Sequence, residues 1–397
     1  MTVVVTVLAL LLLVWTGLLL TFVAPLVARW REPVLRYPVL ILESDDWGAG
    51  PQSQAQALRS LSDLLQQLRD SVGRPAVMTL GVVLEVPDGA RIAASDCSAY
   101  HAVTLLDARF EHVRAAMLEG IEAGVFVPQL HGQCHYWPPA VMAAAQHNPA
   151  VREWLISAEP AATEDLPSHL QSRWVDASEL PSRALAPDAI RQAIDTEAAT
   201  YQTIFNRAPQ VAVATTFVWN DTVEAAWRAA GVEAVITPGH RATCRNAAGQ
   251  PACQDVSMLT GERSSAGQCY LVRDVYFEPV LGHTSQQLLA GLRARTRQGR
   301  ACLVEMHRFN FLRAPQASLK TLETALRDVL GMYPNLRFIS PLELAHAITR
   351  RDPAWLETRY KPRIVAWCAR LDEVPRFRRL ARLSGLALPL AWLERLG

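Results

Sequence analysis

Three groups of side chains have types and spacings that could do chemistry together. An apolar run at 39–42 ends in Glu43-Ser44-Asp45-Asp46-Trp47-Gly48, which puts adjacent carboxylates where a strand gives way to a loop. Neighbouring side chains can point different ways there, so one carboxylate can hold a metal ion while the other accepts a proton from water. Read alone, the same residues are an acidic turn in which Asp45 or Asp46 caps a following helix. The second group is His131-Gly132-Gln133-Cys134-His135, after an apolar stretch at 125–130. Four-residue spacing puts both imidazoles on one face of a helical turn, where they can share a cation, and Pro138 and Pro139 close that turn quickly. Surface histidines are the competing reading, because HxxxH alone is a weak signal. The third is His307, at the exit of the run 302–306, where it can donate a proton to a leaving group or simply be hydrogen-bonded in the core. An acid pair, then HxxxH, then a late histidine, each after a strand, point at one mouth.

The elements that must position them are legible as alternation. Strand candidates fall at 39–42, 77–83, 125–127, 211–215, 234–237, 270–276, 302–306 and 336–339, with amphipathic helical stretches at 53–71, 105–123, 140–157, 187–207, 221–230, 285–298, 317–330 and 342–348. Asn220 or Asp221 can cap the fifth helix, with Glu224 completing a box and Gly231 at its stop. Strands alternating with helices imply parallel pairing, and seven or eight units favour an α/β barrel whose chemistry gathers at the strand C-termini. The polar stretch 238–268 breaks the rhythm and reads as a long loop over the barrel mouth.

With 397 residues, half of them hydrophobic and 19% charged, the chain can bury a large core. Its net charge of +1 provides no field to draw it to nucleic acid. Residues 2–28 carry no charge and exceed the roughly 20 residues that cross a bilayer as a helix. No basic residue precedes them, unlike an ordinary signal peptide, so the segment is expected to be a transmembrane anchor in a bacterial inner membrane. Arg29, Arg31 and Arg36 follow it and lean toward a cytoplasmic body. Residues 351–397 hold ten Lys/Arg against five Asp/Glu, and form either a tail lying on an anionic bilayer or a helical hairpin packed on the barrel. Seven cysteines without a CxxC pair spell neither a zinc ribbon nor a full disulfide framework, although Cys244, Cys253 and Cys269 share one stretch and could pair.

At these motifs the sequence resembles the polysaccharide deacetylases of the NodB-homology type, a branch of the sugar-active seven-stranded barrels. The family's TFDDG, HSxxH, RPPYGxxN and Leu-x-His motifs correspond here to ESDDWG, HGQCH, the segment 213–220 and Val304-Glu305-Met306-His307. The likeness spans about 38–350 in order and implies a distorted (β/α)7-type barrel at 32–350, between an anchor at 1–28 and a basic helical tail at 351–397. Carried over by position, it makes Asp45 the general base, His307 the general acid, and Asp46, His131 and His135 the ligands of a divalent metal, zinc by the donor chemistry. The implied substrate is an N-acetylated carbohydrate. Trp47 is inserted before Gly48, Gly132 replaces a Ser/Thr, and the third motif has lost the arginine that holds the base. Arg273 or Arg308 could replace it, and Asp274 or Glu278 could orient His307 or be strand-end charges. His240 and His283 are mouth candidates without a task. A glycosidase pairing Asp45 or Asp46 with Glu278, or a decayed glycan-binding barrel, are the alternatives.

Overall fold

The computed structural model describes residues 2–159, 162–254 and 257–395. Nine strands form one parallel sheet: β1 (Val39–Gly48), β2 (Met78–Val83), β3 (Phe126–Leu130), β4 (Val211–Val213), β5 (Ala234–Thr237), β6 (Cys269–Val272), β7 (Val275–Tyr276), β8 (Cys302–His307) and β9 (Arg337–Phe338). They run in the spatial order β6-β5-β4-β3-β2-β1-β8-β7, with β9 on the first two residues of β1. Among the described residues β6 and β7 do not pair with each other, so the sheet curls into an open barrel. Every strand run expected from sequence is present, but the run 270–276 is split in two, and its second half crosses to β8.

Period-two alternation explains how this sheet makes a site. On β1, Leu40 and Leu42 pack outward with the helices, while Val39 and Ile41 join an inner cluster with Val213, Ile236, Leu271 and Leu303. Further along the same inner row come Glu43 and Asp45, and on β8 the row Leu303, Glu305, His307 repeats the pattern in register. The interior is therefore apolar at the N-terminal ends of the strands and charged at their C-terminal ends.

The N-terminal segment is two helices. α1 (Thr2–Thr21) includes a stretch, Val3–Thr21, long and apolar enough to cross a membrane, and α2 (Val23–Arg31) begins after Phe22 leaves helical geometry. The expected anchor 2–28 is thus interrupted. Leu26 is buried instead of facing lipid, because C-terminal helices pack on it. The stretch 238–268 is divided: Ala242 donates to the Phe217 carbonyl and Arg245 to Ser172 Oγ at the rim of the mouth, whereas Gly261 lies against Pro33 and Ile348 beside the strand N-termini, and a Cys244–Cys253 disulfide closes a two-residue-per-strand hairpin within it. Positions 255 and 256 of that stretch, and 396 and 397 of the tail, lie outside the described residues.

Candidate metal and hydrolytic site

Strict alternation would turn Asp46 away from Asp45. Instead the register of β1 against β2 shifts between Ser44 and Trp47, and Asp46 adopts φ 75°, a bulge that turns both carboxylates to the mouth. Trp47 points outward, fully buried, its Nε1 donating to Ser44 Oγ at 2.9 Å and its ring stacked on Phe311.

Asp46 Oδ1 lies 3.3 Å from His131 Nε2 and 3.4 Å from His135 Nε2, all three side chains being buried. Tetrahedral bonds of the length zinc makes to nitrogen and carboxylate oxygen separate neighbouring donors by about 3.3–3.5 Å, so the spacing fits one divalent ion. His131 Nδ1 donates to the Val213 carbonyl at 3.1 Å, which leaves the Nε2 lone pair facing Asp46. The loop carrying the histidines is not the helical turn expected from their spacing. Gly132 takes φ 102°, and the buried Glu197 accepts from the Gln133 backbone N–H at 2.9 Å, so side-chain anchoring and a left-handed glycine bend the chain. Glu197, buried and therefore pushed up to about 7 despite Arg173, was not anticipated.

Asp45 is clamped by Arg273, which arrives from the end of β6 where the sequence continues inward: Arg273 Nη2 donates to Asp45 Oδ2 at 2.7 Å. The same guanidinium reaches Glu305 at 3.2 Å and Glu43 at 3.5 Å, and all four groups are buried. Burial would raise the Asp45 carboxyl, but Arg273 and then His131 outweigh it and hold it low. Burial dominates at Glu43, pushed up to about 7, and raises Glu305. Gln129 donates to Glu43 at 3.0 Å. The Arg308 side chain pairs instead with Glu164, at the edge of the cleft, at 3.2 Å.

His307 faces this cluster across the mouth. Its Nδ1 meets Glu278 Oε1 at 2.6 Å, and the other Glu278 oxygen accepts from Asn310. Burial opposes the imidazolium, yet the Glu278 bond and the carboxylates of Asp46 and Asp45 push His307 up to about 10. Asp274 is not near it; it pairs with Arg295 at 3.1 Å. His283 accepts from the Glu278 backbone, and His240 is exposed outside the cleft. The cleft, about 230 Å³, is completed by Glu164, Gln171, Phe217 and Phe309.

Gly81 on β2 makes room for Asp45, since a Cβ there would lie 2.2 Å from its Oδ1. Gly81→Ala is therefore expected to displace Asp45 and lower turnover about 10²-fold while metal binding persists, the misplacement penalty for a reacting group. Steady-state rates and metal content of the same preparation check this.

The sequence matches no family model and no curated protein. Solved structures are similar in fold at low identity. They include the peptidoglycan deacetylase PdaC from Bacillus subtilis, at 10% identity over 81% of this chain and 95% of that one, TM-score 0.36. A family 4 carbohydrate esterase from Streptomyces lividans has 11% identity over 77% and 97%, TM-score 0.34. A CE4 family pseudoenzyme from Bacillus anthracis has 10% identity over 78% and 66%, TM-score 0.36.

Proposed function

We propose that this chain is a metal-dependent hydrolase that removes N-acetyl groups from a glycan, with Asp46, His131 and His135 holding a divalent ion, zinc by donor type. The observation that carries the reading is the division of labour between adjacent carboxylates: Asp46 meets two imidazoles and Asp45 a buried arginine, opposite a histidine fixed by Glu278. A divalent ion there would supply Lewis acidity toward a carbonyl and lower the pKa of water. Asp45, kept anionic by Arg273, accepts the proton of the attacking water through Oδ1. His307, its Nδ1 held by Glu278, presents Nε2 and gives its proton to the departing amine. The carbonyl carbon gains the water oxygen, the C–N bond breaks, and acetate and a free amine leave. Glycosidic cleavage is less well supported, because both oxygens of Glu278 are engaged by His307 and Asn310.

A polymer outside the cytoplasm suits this reading better than a cytoplasmic precursor. The Cys244–Cys253 disulfide belongs to an oxidising compartment, against the flanking arginines. The cleft also opens at the strand ends opposite those where α2 packs, since Glu32 pairs with Arg300, two residues before β8. Acetate release from chitin oligomers or peptidoglycan fragments tests the reaction; new reducing ends without acetate would replace it with glycosidase chemistry.

Glu278→Gln is expected to shift the alkaline limb of the kcat/KM profile to lower pH by at least about one unit. The sign follows from His307 acting as the protonated partner: activity is lost as pH rises through its pKa, and removing the Glu278 charge lowers that pKa. A pH–rate series on both proteins checks it.

A further inference from the structure

Three C-terminal helices, α3 (Tyr360–Arg370), α4 (Pro375–Leu383) and α5 (Ala387–Arg395), gather around the point where α1 meets α2. Phe377 sits edge-on to Phe22 with ring centroids 5.6 Å apart, and Leu371, Ala381, Leu386 and Leu390 are buried in the same cluster. Trp15 Nε1 donates to the Ser384 carbonyl at 2.9 Å, and Trp367 Nε1 to the Leu26 carbonyl at 2.9 Å. Trp15 stands six residues before the end of α1, about 9 Å along a helix axis. The turn between α4 and α5 is therefore fastened to a level inside the last two turns of the apolar helix.

We propose that α4 and α5 form a collar seated in the headgroup layer of an anionic phospholipid bilayer. Their outer surface has the composition such a layer selects. Leu383 and Leu388 are each 77% exposed and Trp392 63%, with Leu380 beside them, while Arg376 and Arg379 share the outer face of α4 at helical spacing and Arg382 flanks it. These three arginines form no ion pair among the described residues, and the surrounding segment 351–397 carries five more basic than acidic residues. Exposed leucines fastened level with a membrane-length helix meet acyl chains, and the arginines interleaved with them meet lipid phosphates. A wholly apolar groove of about 370 Å³ among Leu26, Val27, Trp30, Ile364, Trp367 and Leu393 adds lipid-compatible surface at the same junction. The collar is independent of the catalytic reading.

The test uses the full chain in lipid nanodiscs of phosphatidylcholine with or without phosphatidylglycerol. Its five free cysteines are buried, so spin labels placed by Leu383→Cys or Leu388→Cys report locally, with Leu106→Cys, exposed beyond the C-terminal end of β2, as the aqueous reference. In phosphatidylglycerol discs the collar labels are expected to collide with oxygen several-fold more, relative to a nickel chelate, than the Leu106→Cys label. Combining Arg376→Glu, Arg379→Glu and Arg382→Glu is expected to reduce that preference. Nickel accessibility equal to that of the Leu106→Cys label in phosphatidylglycerol discs overturns the proposal. Shielding from both reagents that ignores lipid charge and the arginine changes does so too, because it indicates a protein contact.

Discussion

Asp45→Asn is expected to lower kcat for acetate release by about 10²–10⁴-fold, the range associated with a positioned general base. Metal content is expected to stay at the wild-type level, because Asp46 and not Asp45 faces the two imidazoles. The fold is expected to survive, since Glu43 and Glu305 still compensate Arg273 and an asparagine oxygen can accept its hydrogen bond. A parallel loss of metal would mean that the two carboxylates do not divide their roles. Rates and bound metal measured on one preparation separate these outcomes.

Arg273→Leu is expected to be the most destabilising single change in the site, costing about 3–5 kcal/mol, because it strands buried carboxylates without their cation. Its pH dependence identifies the cause. With Arg273 gone, Asp45 loses the group that holds it low, and Glu43, already pushed up to about 7, rises further. Carboxyls whose folded pKa lies above the unfolded value bind more protons in the folded state between those two values, so stability falls as pH rises through that window. The deficit relative to wild type is therefore expected to be smaller near pH 5 than near pH 7.5. Thermal unfolding of the full chain at both pH values measures it, and a deficit independent of pH would assign Arg273 a packing role instead.

Much of this arrangement is legible in the amino-acid sequence. The eight apolar runs give the strands because parallel strands buried on both faces are nearly continuous in hydrophobicity. Three polar motifs at strand exits locate the mouth for the same reason, as the places where that continuity stops. Asn220 also caps its helix as expected, accepting from Val223 N, but Glu224 does not complete a box; it is buried with Trp219, Arg241 and Tyr270.

The features that residue patterns do not announce are those that depend on neighbours across the sheet. Glu43 and Glu305 share a face with Asp45 and His307 by simple period two, a signal masked at Glu305 by the apolar run 302–306 that contains it and at Glu43 by the acid pair beside it. The bulge at Asp46 leaves no mark in residue type, and Gly81 becomes meaningful only once β2 is known to lie beside Asp45. The HxxxH spacing suggests a helical turn because it carries periodicity alone, whereas the loop is shaped by Glu197, 62 positions beyond His135. One face of the basic tail packs against α1, α2 and residues 295–300, and the other is exposed.

That residues distant in sequence grip one ion is tested most directly by the metal content of the purified full chain, wild type beside Asp46→Ala, by elemental mass spectrometry after dialysis against trace divalent metal. One ion per chain in the wild type and at least about tenfold weaker retention in the variant is the predicted result. Equal retention by the two proteins, or none by the wild type, would contradict it.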